Sequence, residues 1–188
     1  MRPFVAALLL AGCAPGGPSL LVDVRTDLVP GREFTAARVE VAVEGDTGSR
    51  SFERAAEEGD DYLGGRRVLE HIVDRPATHE LVATLLAADG RRVASRRAIV
   101  DVDADIAVTL VLTRSCVGVV CPAGGDPAAT ECVGGQCVRP RCVDGGDDCP
   151  SAACAEDAEG VPAQDCAAGL CDDSGFCFFA ERAGACGP

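Results

Sequence analysis

Cysteine is the residue type in this chain with the most chemistry open to it. Of its 12 cysteines, eleven fall in the C-terminal segment: Cys116, Cys121, Cys132, Cys137, Cys142, Cys149, Cys154, Cys166, Cys171, Cys177 and Cys186. Such thiols can close disulfides, ligate a metal or act as nucleophiles. Zinc ribbons and redox motifs use C-x2-C, whereas the commonest gap here is four residues and no histidine accompanies it. The segment is about 73 residues long and roughly 15% cysteine, above the level of about 8–10% that marks an exported disulfide scaffold. Its large apolar side chains are few, mainly Leu170, Phe176, Phe178 and Phe179, so cross-links must replace a core. The eleven cysteines are therefore expected to form disulfides, in a connectivity that one sequence does not fix. Eleven is odd, so one thiol stays free or pairs with another molecule.

The remaining candidates for chemistry are sparse. No nucleophile elbow, H-E-x-x-H helix, P-loop or G-x-G-x-x-G fingerprint occurs. The only histidines, His71 and His79, have no motif partner and read as surface or strand-edge residues; Tyr62, the single tyrosine, reads as packing. Asp101, Asp103 and Asp105 form D-x-D-x-D, the opening of an EF-hand loop, but Ile106 replaces the required glycine and Leu112 the bidentate glutamate. On a strand the three share one solvent face, with Ala104-Asp105 as a hairpin turn, leaving at most a weak Ca2+ site. Glu57–Asp61, Asp144–Asp148 and Asp172-Asp173 read as acidic loops of the same kind. The expectation is a protein that is not an enzyme and needs no cofactor.

The amino terminus carries a different message. Met1-Arg2-Pro3 precedes an apolar run from Phe4 to Ala11, which is too short for the ~20 residues that span a bilayer. It suits a signal-peptide apolar region of about 7–15 residues. The ending Leu10-Ala11-Gly12-Cys13 resembles the lipobox of bacterial lipoproteins. That resemblance implies cleavage before Cys13, lipidation of its sulfur and acylation of the new amino terminus. Two or more acyl chains hold a protein stably on a membrane. By the same resemblance, Ala14 rather than aspartate points to export and anchoring at the outer membrane, on its periplasmic or its surface face. The next residues, Ala14-Pro15-Gly16-Gly17-Pro18-Ser19, form a linker by composition, reaching roughly 20 Å when extended. The net charge of −13 argues against nucleic acid and against a polybasic membrane contact, so the bilayer partner is met through the acyl anchor alone. The chain contains no asparagine and hence no N-x-S/T glycosylation site.

Between tether and cysteines the apolar residues alternate. Val39, Val41 and Val43 face one way while Arg38, Glu40 and Glu44 face the other, and Val22 and Val24 alternate with Asp23 and Arg25. Asp89-Gly90 between two such runs signals a hairpin, and Ala98–Val102 with Ile106–Thr113 reads as the last strand pair. Ser51–Glu58 has the composition of a helical turn. About seven short strands in about 95 residues is the rhythm of a β-sandwich. The expected order is a lipoprotein signal over 1–12, lipidated Cys13 and tether over 13–19, an all-β sandwich over 20–114 and a small disulfide-rich, loop-dominated module over 115–188. The architecture loosely resembles the immunoglobulin-like and prealbumin-like sandwiches of exported bacterial proteins. In the module, 116–142 and 149–177 form a weak tandem repeat, with Gly135 and Gly169 each expected at a tight turn.

Asp27–Gly31 (DLVPG), Thr109–Cys116 (TLVLTRSC) and Cys121–Cys142 are similar to stretches of a group of cysteine-rich myxobacterial envelope lipoproteins. Members tend to carry a further cysteine shortly after the one matching Cys154, which Ala155–Gly160 lacks; the resemblance ties the odd count to that gap. It implies location and architecture and brings no activity. The sequence thus points to a lipid-anchored envelope protein that displays a disulfide-stapled module to a protein or polysaccharide ligand. Its alternatives are a structural part of an envelope or spore-coat assembly joined through the odd thiol, a Ca-stabilised adhesion module, and a secreted enzyme or inhibitor.

Overall fold

The computed structural model describes residues 17–143 and the backbone of 167–171 and 177–181. Expectations that fall elsewhere, on Cys13 and the signal, Cys149, Cys154, Cys166, Cys186, Phe176 and the acidic runs from Asp144 and Asp172, lie outside the described residues. Seven strands precede the cysteine segment: β1 (Ser19–Thr26), β2 (Ala36–Val43), β3 (Ser49–Ala55), β4 (Arg66–Ile72), β5 (Ala77–Leu86), β6 (Arg92–Val102) and β7 (Ile106–Leu112). They form a three-stranded sheet in the order β4-β1-β7 and a four-stranded sheet in the order β3-β2-β5-β6. Alternation works as pleat geometry demands: in β1 each second residue (Leu20, Val22, Val24) is buried, and β5 contributes Leu81, Ala83 and Leu85 from the opposite sheet. Both inner faces share one core, to which Val39, Val100, Val108 and Leu110 also belong. Tyr62 packs there edge-on to Phe34, ring centroids 5.0 Å apart.

Asp89-Gly90 does turn a hairpin between β5 and β6: Gly90 sits at φ 78° and Ala87 accepts from the Gly90 amide at 2.8 Å. Two expectations are corrected. Ala98–Val102 and Ile106–Thr113 are not a strand pair, because β6 ends one sheet while β7 runs parallel to β1 in the other. Residues 103–105 therefore cross between sheets instead of forming a hairpin turn. Ser51–Glu58 is not helical; most of it is β3, an exposed edge strand hydrogen-bonded along β2. Pairing with β2 overrides the local preference of Glu53-Arg54-Ala55-Ala56.

The cysteine segment does not hang free of this sandwich. After β7, Arg114–Cys116 makes one 3-10 turn, and a short hairpin follows from β8 (Glu131–Val133) and β9 (Gln136–Val138). Gly134 and Gly135, at φ 57° and 82°, supply the two positive-φ positions of its turn. Val133, Val138 and Cys142 cover Val111 on the outer side of β7, forming a second small core. The main link is Arg96, which is only 2% exposed. Its guanidinium leaves β6 to donate to the Val111 carbonyl of the other sheet, at 3.2 Å, and to the Cys142 carbonyl. Arg114 clamps the same junction from below, donating both terminal nitrogens to the Glu33 carboxylate and its amide to Asp27 at 2.6 Å.

Farther along, β10 (Ala167–Cys171) pairs antiparallel with β11 (Cys177–Glu181), with Leu170 opposite Phe178 and Gly169 opposite Phe179. Gly169 thus lies inside a strand while its counterpart Gly135 sits in a turn, so the expected second tight turn is not there. Cys132–Cys137 is a hairpin whereas Ala167–Cys171 is one strand, so the likeness of the two phrases does not extend to their described backbone.

Replacing Arg96 by Met strands two carbonyls in a dry environment, at about 1–3 kcal/mol for each unsatisfied group. Chemical denaturation of the oxidised protein is expected to show a loss of about 2–6 kcal/mol; an unchanged midpoint would show that the bridge carries no weight. Burial pushes the Glu33 carboxyl up, but the Arg114 hydrogen bond, the Val29 amide and the Arg114 charge together hold it below its usual value. A depressed carboxylate contributes stability above its unfolded pKa and loses it as the folded form is protonated. Stability is thus expected to fall on acidification below about pH 4.5, and Glu33→Gln to flatten that slope. Identical acid titrations of the two proteins would refute the assignment.

Candidate functional site

The parallel β1–β7 pair gives the sandwich two distinguishable poles. Ser19 and Ile106 lie at one end, Thr26 and Leu112 at the other. At about 3.3 Å per residue the poles are roughly 25 Å apart. Each carries a groove.

At the Ser19 pole, β2, β3, β4 and β5 enclose an open groove of about 410 Å3 lined by both histidines of the chain together with Arg50, Asp46, Asp74 and Arg75. His79 is buried, with Nδ1 2.9 Å from the Ala77 carbonyl, so Nδ1 carries the proton that is donated there. Nε2 of His71 lies 3.3 Å from the Arg50 guanidinium, which has only donors, so that nitrogen accepts. Burial, then the Arg50 charge, holds His71 below the usual histidine value. Among the described residues neither ring bonds a hydroxyl or thiol, so no nucleophile–base pair is assembled here. The sequence suggested surface or strand-edge histidines, which fails for His79, buried on the inner strand β5; the pairing of Val43 with His79 and of Leu20 with His71 brings the two rings into one groove.

The aspartates of D-x-D-x-D are also parted by the fold. Asp101 ends on β6, where the Thr78 hydroxyl at 2.6 Å and then Arg141 hold its carboxyl below the usual range. Asp105 instead accepts the Ser19 amide at 2.8 Å, and Asp103 is exposed between them. Since β6 stops at Val102, the three do not line one strand face, which corrects that expectation. Among the described residues no group of three or more histidine, cysteine or acidic side chains is placed to hold a metal ion.

The far pole carries the cysteine chemistry. Disulfides join Cys116 to Cys132 and Cys121 to Cys137. Cys132 and Cys137 stand opposite each other on β8 and β9, so parallel bridges run from one hairpin to both ends of the loop Val117–Val120. Cys142 is disulfide-bonded as well. The braced loop holds its apolar side chains in solvent: Val117 is 51% exposed and Val120 81%. Beside it an open groove of about 460 Å3 runs between the loop and the first half of β6, lined by Arg92–Arg96, Thr113, Thr130 and Glu131. Sequence reading found the cysteines but missed Arg92 and the valine loop, because valines between cysteines look like core.

No family model matches the chain, and the curated proteins and solved structures likewise yield no match.

Peptide mapping without reduction is expected to recover Cys116 linked to Cys132 and Cys121 to Cys137, and a Cys116–Cys121 link would overturn this geometry. Each bridge closes a sequence separation of 16 residues. Replacing Cys121 and Cys137 together by Ser is expected to cost about 3 kcal/mol in denaturant.

Proposed function

We propose that the chain is a non-enzymatic, lipid-anchored envelope protein that holds a disulfide-braced recognition surface away from the membrane. One observation carries this reading: β1 begins at Ser19, directly after the tether, while the exposed loop between Cys116 and Cys121 sits at the opposite pole. An anchor at Cys13 therefore turns the braced loop outward. Paired cysteines fit an oxidising compartment, which export supplies. Of the two sandwich types that the sequence resembles, the strand order favours the prealbumin-like one. In immunoglobulin domains the first strand pairs with the second, whereas here β1 lies between β4 and β7. An outer-membrane location, and a protein or polysaccharide as the ligand, belong to the same proposal.

The five cysteines from Cys116 to Cys142 are all bonded. An odd thiol is then left to the segment from Cys149 to Cys186, and a coat assembly joined through it would use that end of the chain.

Intact mass of membrane-extracted protein, alkylated with and without reduction, tests the anchor. The expected species starts at Cys13 with a lipid-sized increment, and Cys13→Ser is expected to move the protein to the soluble exported fraction. A chain retaining Met1 with free thiols throughout would sink the proposal.

A further inference from the structure

We infer that the groove between β6 and the loop Val117–Val120 receives an extended peptide segment of a partner protein, one that carries a carboxylate. The inference rests on the recognition reading above and names its ligand class. Three features of the groove converge on it.

The first is an open strand edge. β6 is the outermost strand of its sheet, and its even-numbered residues Ala94, Arg96 and Ala98 stand opposite Leu85, Ala83 and Leu81 of β5. Arg97 and Ile99 send their amides the other way, to the Glu131 carboxylate at 2.8 Å and the Pro140 carbonyl at 2.7 Å. The cysteine unit thus covers the second half of this edge. Backbone groups alternate along a strand, so the N–H and C=O of Ser95 face outward as those of Arg97 do. They open into the groove, and no described residue bonds the Ser95 amide. A strand-like segment added there continues the ladder, the mode by which sheet edges take extended peptides.

The second is charge. Among the described residues Glu131 is the one acid lining the groove, and its carboxylate is engaged by the Arg97 amide, Arg97 Nε at 3.3 Å and the Thr130 hydroxyl at 3.1 Å. Arg92 lines the mouth, is exposed, and has no carboxylate partner among the described residues. In a chain of net charge −13, an arginine left without a counter-ion beside an open strand edge complements a carboxylate.

The third is the wall. Val117 and Val120 present apolar surface that is fixed in place by bridges at both ends of the loop, so little ordering is required on binding. Among the described residues no aromatic side chain lines the groove, whereas the strand edge offers the backbone pairing that an extended peptide takes.

The test uses the full mature chain in detergent and three blocked pentapeptides, alternating Val and Thr and ending in Glu, Gln or Lys. Binding is followed by amide NMR and by titration. The Glu peptide is expected to shift the Ser95 amide and to bind about tenfold tighter than the Gln peptide. Arg92→Gln should erase that preference, and Val120→Ser should weaken all three peptides at an unchanged unfolding midpoint. Equal binding of the Glu and Lys peptides, or no change at Ser95, would overturn the inference. So would Val120-dependent binding to phosphatidylglycerol vesicles without peptide binding, which assigns the loop to a membrane, or concentration-dependent dimerisation that protects the Ser95 amide, which assigns the edge to a second copy. Failure of the anchor itself reads out separately, since peptide binding does not require Cys13 to be lipidated.

Discussion

The buried guanidinium of Arg96 is the constraint around which this molecule is arranged. A cation taken out of water must find acceptors, because an unpaired buried charge is far costlier than a lost hydrogen bond. Among the described residues its acceptors come from two places that β6 alone cannot supply. One is Val111, on the strand of the opposite sheet that precedes the cysteine unit; the other is Cys142, at the end of its first half. The two terminal nitrogens of Arg96 therefore reach these carbonyls only when both sheets and the cysteine unit are in place together. The sandwich and residues 114–143 are on this account one cooperative body rather than a stalk with a separable head.

That coupling also settles how the sheet edge is managed. An outer strand as long as β6, with 11 residues, is a template for unwanted pairing unless something blunts it. The cysteine unit blunts its second half through Glu131 and Pro140, with the Arg141–Asp101 pair at the end. The hairpin that provides Glu131 is the one that anchors both disulfides to the valine loop. Bridges that make a small unit stable without much core thereby also fix how much of β6 stays open.

Much of the sandwich was legible because period-2 burial leaves a direct trace: the alternation of β1 and β2 and the Asp-Gly turn after β5 appear in the residues themselves. What was not legible depended on partners distant in the chain. Nothing local in Ile106–Leu112 says that it pairs with β1 rather than β6. Ser51–Glu58 looks helical until β2 supplies a neighbour. Arg96 has the same strand parity as buried Ala98 and Val100, so its inward direction was readable in principle. A charge at a core position is discounted by habit, and its acceptors lie 15 and 46 residues away. The cysteine phrases were legible as composition, yet Gly135 and Gly169 differ in conformation because one phrase folds back on itself and the other pairs with the strand that follows.

The two poles divide the remaining chemistry by what each can hold rigidly. At the Ser19 pole both histidines have partners supplied by the sandwich itself: a carbonyl for one, an arginine for the other. Such rings pack and orient, with one nitrogen of each already committed. At the far pole the commitments run the opposite way. Among the described residues the ties there, from the two disulfides to Glu131 with Arg97, go into holding the frame, while the loop, an open backbone pair and Arg92 remain presented to solvent. A surface whose frame is fixed independently of its ligand loses little entropy when that ligand arrives. With Pro18 and Ser19 held by the sandwich, the free tether shortens to Ala14–Gly17, roughly 14 Å; with poles roughly 25 Å apart, the proposed anchor at Cys13 would hold that surface a few tens of ångströms from the bilayer.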